Sequence, residues 1–122
     1  MVIDYSSVEE AIRWFYVLRD VRDVLRGVSG GDGAYGIAGV GDDVILLVAV
    51  VIASDEGVSV YRAGRLMSIV GGRLGIYSSF SSAARRARDA GLIEYVSSRR
   101  VRPAVRGLIE PCLSPSLRRC PS

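Results

Sequence analysis

The segment that most constrains the fold is residues 44–53, because all ten of its side chains are apolar. Asp42 and Asp43 precede it and either could cap a helix there, and Asp55-Glu56-Gly57 would end that helix. A helix that is apolar on every side has to be surrounded by other elements, so we expect it at the centre of the domain. The run is about half the length that spans a bilayer, and the N-terminus carries no signal-peptide pattern. We therefore expect a cytoplasmic protein without a membrane partner.

A long amphipathic helix is predicted before this segment. Ser7 and Glu10 have the spacing of a capping box, and Gly27 is expected to end the helix after Arg26. Apolar residues at steps of three and four form one seam along it, and they are Ala11, Trp14, Leu18, Val21, Leu25 and Val28. The seam could dock onto its own domain or pair with a second copy. We predict the second arrangement, a homodimer. Its contact residues would be Trp14, Leu18, Val21 and Leu25.

The charges of the chain are divided between its two halves. Residues 1–60 carry four arginines and ten acidic residues, a net charge of −6, whereas residues 61–106 carry ten arginines and two acidic residues, a net charge of +8. A half-chain this basic indicates a polyanion partner that approaches from one side. All sixteen basic residues are arginine, and asparagine, glutamine and threonine are missing. The lack of thermolabile amides suits a thermophile, although a codon bias would have the same effect.

The basic half begins with a short strand at 58–60 and a third helix at 61–70, which Gly71, Gly72 and Gly75 are expected to break. A fourth helix is predicted from the serine cluster at Ser78 to Gly91. Its inward face would hold Phe80, Ala83, Ala84, Ala87 and Ala90, and its outward face Ser79, Ser82, Arg85, Arg86 and Asp89. Hydroxyls and helix N-terminal amides bind phosphate, and arginine can bind guanine through two hydrogen bonds. The outward face therefore suits the major groove of DNA.

A β-hairpin is predicted directly after this helix. Residues 92–96 alternate as a strand, residues 97–102 turn, and residues 101–109 return, with Pro103 tolerated only at an edge or a bulge. Arg99, Arg100 and Arg102 would then lie at the tip of the hairpin. We expect them to contact the DNA backbone or the minor groove.

The order of elements over residues 42–109 resembles the winged helix-turn-helix family of DNA-binding regulators, especially small archaeal and bacterial ones. The most specific likeness is residues 81–94, Ser-Ser-Ala-Ala-Arg-Arg-Ala-Arg-Asp-Ala-Gly-Leu-Ile-Glu, which look like the end of that family's recognition helix and its first wing strand. The resemblance implies a mostly α fold with a small β-hairpin (α+β) and an extra N-terminal helix. It also implies that residues 78–90 enter the major groove and that residues 97–102 form the wing. The groove-facing residues would be Ser79, Ser82, Arg85 and Arg86, and the wing residues Arg99, Arg100 and Arg102.

We divide the chain into an N-terminal helix with a glycine-rich loop (1–41), a winged-helix domain (42–110) and a proline-containing tail (111–122). The loop holds seven glycines in residues 27–41, and its Gly-x-Gly-x-x-Gly match at 31–36 follows a helix where the dinucleotide fingerprint needs a strand. We expect a flexible loop or a small hairpin there, and no cofactor. Cys112 and Cys120 in the tail could form a disulfide or remain two free thiols. No metal site is expected, since the chain has no histidine.

The predicted function is a DNA-binding transcriptional regulator with double-stranded DNA as its partner. The alternative is a winged-helix interaction module of a transcription or replication complex, in which the basic face would meet an acidic protein. An enzyme is not expected, because histidine is absent and no pattern of paired carboxylates occurs. The sequence identifies neither an operator nor a small-molecule effector.

Overall fold

Helices account for most of the structure, a computed structural model that describes residues 5–28, 36–54 and 58–104 of the 122-residue chain. These residues form four α-helices, α1 (Tyr5–Val28), α2 (Asp42–Ala53), α3 (Val60–Leu74) and α4 (Phe80–Asp89), and a 3-10 helix at Gly36–Gly39. Three short strands, β1 (Val58–Ser59), β2 (Ile93–Ser97) and β3 (Arg100–Pro103), make an antiparallel sheet. The predicted α+β class with few strands is confirmed. No helix of these residues is long and apolar enough to cross a membrane.

Helix α2 lies at the centre of the core, as its apolar sequence predicts. Eight consecutive residues from Val44 to Val51 are buried, and the helix contacts α1, α3, α4 and β3. Its N-cap is Gly41, which makes no side-chain capping bond, so the prediction of an aspartate cap is wrong. Asp42 and Asp43 lie in the first turn instead, where a carboxylate is favourable beside the helix N-terminus, and both bind arginines of other helices.

Helix α1 packs on α2 through a face that differs from the predicted seam. It begins at Tyr5, so Ser7 lies inside the helix and does not cap it, and it continues through Gly27 to Val28. The buried stripe consists of Val8, Ala11, Phe15, Leu18, Arg22 and Leu25. Trp14 is half-buried and Val21 is 39% exposed. The predicted seam is therefore rotated away from the true contact, although Ala11, Leu18 and Leu25 belong to both.

Two arginines of α1 tie it to the segment before α2. Arg22, which is 7% exposed, donates to Asp42 Oδ1 at 2.5 Å and to Asp23 Oδ1 at 3.0 Å. Burial disfavours the charge of Arg22, but these hydrogen bonds and carboxylates outweigh it and raise the pKa of Arg22. Arg26 donates to the carbonyls of Ala38 and Val40, both at 3.0 Å.

The 3-10 helix contradicts part of the predicted glycine loop. Gly36, Ile37 and Ala38 are buried in this helix, whereas a flexible loop or a small hairpin was predicted there. Residues 29–35, with most of the fingerprint-like match, lie outside the described residues, as do the turn at 55–57 and residues 105–122. The predictions for Cys112, Cys120, the tail and the end of the return strand fall there.

Helix α3 runs through Gly71 and Gly72, which were expected to break it, whereas Gly75 ends it as predicted. The Ser59 side chain caps it by accepting from the Arg62 amide at 3.1 Å, and the helix ends only at Gly75, whose φ is 73°. Gly71 is buried, and a Cβ built on it would lie 2.5 Å from the Ile76 carbonyl oxygen. The absence of a side chain there allows the chain to turn back closely on α3.

The short strand predicted at 58–60 is present as β1, and it joins the predicted hairpin in one sheet. Its order is β1-β3-β2, so β1 pairs with β3 through Val58↔Val101 and Ser59↔Arg100. The hairpin pairing is Ile93↔Pro103 to Ser97↔Arg100, with an irregularity between Tyr95 and Ser97. The pairing of β1 with β3 stops before Pro103, so at this residue β3 has one neighbour among the described strands, β2. Proline has no amide hydrogen to donate to a second neighbouring strand, and this edge position therefore suits it.

Candidate nucleic-acid interface

Helix α4 is held in place by caps at both ends and by small residues on its inner face. The Ser79 side chain accepts from the Ser82 amide at 3.2 Å. At the other end Gly91 has φ 76°, and the Leu92 amide donates to the Ala87 carbonyl at 2.9 Å. The inward prediction is confirmed, since Ala83, Ala84 and Ala87 are buried and Phe80 and Ala90 pack against the core. These short side chains let α4 approach α2 closely.

The exposed surface of α4 has two edges. Ser81, Arg85 and Arg88 are spaced four and three residues apart and lie on the edge that faces the hairpin. Ser82 and Arg86 lie on the other edge, which faces the start of α2. The two edges place their arginines in different electrostatic surroundings.

The hairpin-side edge borders a cleft of about 230 Å³ between α4 and β2. Its lining residues are Val60, Phe80, Ser81, Arg85, Arg88, Tyr95 and Ser98. The Arg88 guanidinium carbon lies 5.9 Å from the centre of the Tyr95 ring, within the range of a cation–π interaction. The cleft therefore combines two cationic side chains, two serine hydroxyls and two aromatic rings, which are groups that bind phosphate oxygens and nucleotides.

Arg85 is the predicted site residue whose charge is most available. Its side chain is exposed, and it forms no hydrogen bond or ion pair with another described residue. Arg99 is also exposed, at the turn of the hairpin. The Arg99 carbonyl accepts from the Val60 amide at 2.8 Å, so this turn is fixed to the first residue of α3. Within the described part of the chain, neither guanidinium group has to leave a carboxylate in order to meet an incoming anion.

Two other predicted arginines are paired with acidic residues. Arg86 forms an ion pair with Asp43, which also accepts from the Ser78 hydroxyl at 3.0 Å. Arg102 forms an ion pair with Glu94 across the hairpin. In each pair one carboxylate balances the charge of one arginine. Arg86 and Arg102 thus contribute less to the attraction of a polyanion than the sequence indicated.

The predicted wing tip at 97–102 is too long. The turn comprises Ser98 and Arg99, whereas Arg100 and Arg102 lie in β3. Both are exposed, but their side chains extend from the sheet and not from the tip. The irregularity between Tyr95 and Ser97 shortens the connection, and this pairing shift has no local signal in the sequence.

Among the predicted serines, Ser79 caps α4, and Ser82 stays exposed on the helix surface. Arg88 was not among the predicted residues, although it lines the cleft. Its position three residues after Arg85 and seven after Ser81 puts it on the same helical edge. That spacing could have identified it.

The predicted dimer residues do not share one exposed face. Leu18 and Leu25 are only 4% and 7% exposed because they pack in the core of their own chain. Trp14 is half-buried and Val21 is exposed. Leu18 and Leu25 instead pack within their own chain, which is the alternative that the sequence left open.

The described residues contain no group of three or more potential metal ligands. Comparison with known proteins gives no matching family model, no matching curated protein and no matching solved structure.

Proposed function

We propose that the chain is a winged-helix DNA-binding protein that acts as a transcriptional regulator. The observation that carries the proposal is the cleft between α4 and the hairpin, in which Arg85 and Arg88 lie beside Tyr95. A nucleic acid is a suitable partner, because the described residues that line the cleft offer two positive charges and two serine hydroxyls and include no carboxylate.

The arrangement of α3, α4 and the hairpin supports DNA as the polyanion. Helix α4 has ten residues, a length of about 15 Å, and B-DNA has a major groove of about 12 Å that admits one helix. In this proposal α4 lies in the groove with Arg85 towards the base edges, while Arg88 and Arg99 contact phosphates on the hairpin side. Ser82 lies on the exposed surface of α4 and can bind a phosphate or a base.

The side chains limit what such a protein can read. The chain has no asparagine or glutamine, which are the residues that bind adenine through two hydrogen bonds. Sequence preference would come from arginine on guanine, from thymine methyl groups and from duplex shape. A bound molecule at a promoter would act sterically, by blocking or recruiting the transcription machinery.

The test is fluorescence anisotropy of a labelled duplex over a series of salt concentrations, with Arg85→Ala and Arg88→Ala beside the wild type. Arg19→Ala is a matched control for Arg88→Ala. The Arg19 guanidinium carbon lies 4.9 Å from the Tyr16 ring centre and 5.6 Å from that of Phe15, and the Arg88 guanidinium carbon lies 5.9 Å from that of Tyr95. Both variants therefore lose one charge and the contact of that charge with a tyrosine ring. Only Arg88 lies in the cleft.

We expect binding that falls steeply with salt, and a salt slope that Arg88→Ala reduces by about 1 because one phosphate contact is lost. If Arg85 contacts a base, Arg85→Ala should weaken the binding free energy by about 1–3 kcal/mol on a preferred sequence and by less on a scrambled one. The absence of binding at low salt, or an equal loss for Arg19→Ala, would contradict the proposal.

A second candidate is the interaction module. Tyr77 is 84% exposed and Tyr61 is 61% exposed, and exposed tyrosines are frequent in protein interfaces. This function predicts capture of an acidic protein with little affinity for duplex DNA, and the same titration separates the two.

A further inference from the structure

A second apolar stripe runs along the outer surface of α1. It consists of Trp14, Val17, Val21 and Val24, at successive spacings of three, four and three residues, so the four side chains share one helical face. Val17 is 50% exposed, Val21 39% and Val24 52%, and Trp14 is half-buried. The stripe is distinct from the buried face that packs on α2.

The stripe and the basic cleft lie on different helices. The stripe belongs to α1, which packs mainly on α2, whereas Arg85 and Arg88 of the cleft belong to α4. A partner on the stripe can therefore be tested separately from DNA binding at the cleft.

We propose that the stripe pairs with the same stripe of a second copy, with the two α1 helices antiparallel and a two-fold axis near Val17. Alternating spacings of three and four are those of helices that pack along a shared seam. With the axis at Val17, the two Val17 side chains meet each other. Trp14, three residues before the axis, meets Val21 of the second copy, four residues after it.

The charges beside the stripe select this orientation. Arg13 and Asp20 are both exposed, lie along the same side of the stripe, and form no ion pair with another described residue. Arg13 lies four residues before Val17 and Asp20 three residues after it. The antiparallel pair therefore brings each Arg13 beside Asp20 of the other copy, which forms two ion pairs between the copies.

A parallel pair would place identical residues at the same height and would gain neither ion pair. The antiparallel homodimer uses Trp14 and Val21 of the contact set predicted from the sequence. It replaces Leu18 and Leu25, which are buried within the chain, with Val17 and Val24.

The experiment is sedimentation equilibrium of the full chain, with tryptophan emission measured over the same concentrations. Trp14 is the single tryptophan in the chain, so its emission reports on the stripe directly. We expect a monomer–dimer equilibrium and a blue shift of the emission as the dimer forms.

Val17→Glu should raise the dimer dissociation constant at least about tenfold, because it places two like charges at the axis. The control is Ile69→Glu on α3, where Ile69 is 40% exposed and lies outside the stripe, and it should leave the constant unchanged. Circular dichroism establishes that both variants are folded. A wild type that stays monomeric at all concentrations, or equal behaviour of the two variants, would overturn the proposal.

A charge exchange tests the orientation. Arg13→Asp alone should weaken the dimer, and adding Asp20→Arg should restore it, since the exchanged charges meet again across an antiparallel pair. Failure of the double variant to recover would overturn the antiparallel arrangement. Both measurements are made without DNA, so they do not depend on the outcome of the anisotropy titration.

Discussion

Replacing Gly71 with alanine should destabilise the protein, although alanine is the better helix former. A Cβ at this position would lie 2.5 Å from the Ile76 carbonyl oxygen and 3.3 Å from Leu46 Cδ2. The carbonyl belongs to the backbone and cannot rotate away as a side chain would. The Ile76 amide also donates to the Gly71 carbonyl at 2.9 Å, so moving the turn outwards would strain that hydrogen bond as well.

The magnitude follows from two opposed terms. Alanine in place of glycine favours a helix by up to about 1 kcal/mol, whereas forcing an extra carbon into a packed region costs about 1–3 kcal/mol and at times more. Because the clash is with backbone, we take the upper part of that range and expect a net loss of about 2 kcal/mol. For a domain of this size that corresponds to a fall in Tm of roughly 10 °C.

The neighbouring glycine provides the control. A Cβ on Gly72 meets nothing within 4 Å, and the residue is exposed in the last turn of α3. Gly72→Ala should therefore raise stability by about 0.5 kcal/mol. Thermal and urea unfolding followed by circular dichroism measure both variants. If Gly71→Ala proved as stable as Gly72→Ala, the close approach of the turn to α3 would be refuted.

Two further predictions concern single side chains. Arg22→Ala should lower the free energy of unfolding in urea by about 1.5–3 kcal/mol, because its charged hydrogen bonds are lost. The loss should not be larger, since the Asp42 side chain is 49% exposed and becomes hydrated. A loss no larger than that of Arg19→Ala would contradict this prediction. Ser79→Ala should cost about 1 kcal/mol by removing the cap of α4, whereas Ser81→Ala, on the same helix without a capping role, should cost less than half of that, and equal losses would refute the capping role.

Local sequence patterns predicted well the elements whose burial or ends depend on their own residues and immediate neighbours. Residues 44–53 are apolar on every side, and α2 is indeed central. The serine cluster and Gly91 bracket α4 within one or two residues of its ends, because capping needs only neighbouring backbone groups. The alanines of α4 face inwards because their period matches one side of a helix.

Errors arose where two distant segments decide the outcome. Gly71 and Gly72 are expected to break a helix, but the approach of Ile76 makes the missing side chain at Gly71 useful within one. The short strand predicted at 58–60 is present as β1, but its place in the sheet depends on the pairing of Val58 with Val101, which the sequence did not predict. The ion pair of Arg86 likewise depends on Asp43. In each case the partner lies outside the window that a local pattern covers.

Helix α1 shows the division most clearly. Its sequence predicted a long helix with one apolar seam, although the spacing of three and four also occurs in a second register, at Trp14, Val17, Val21 and Val24. Which face lies inside is decided by the tertiary structure, in which α2 covers Phe15 and Leu18 and Asp42 compensates the buried charge of Arg22. The spacing of apolar residues shows which faces of a helix are hydrophobic. Which of these faces is buried depends on the shape and charge of the element that packs against the helix.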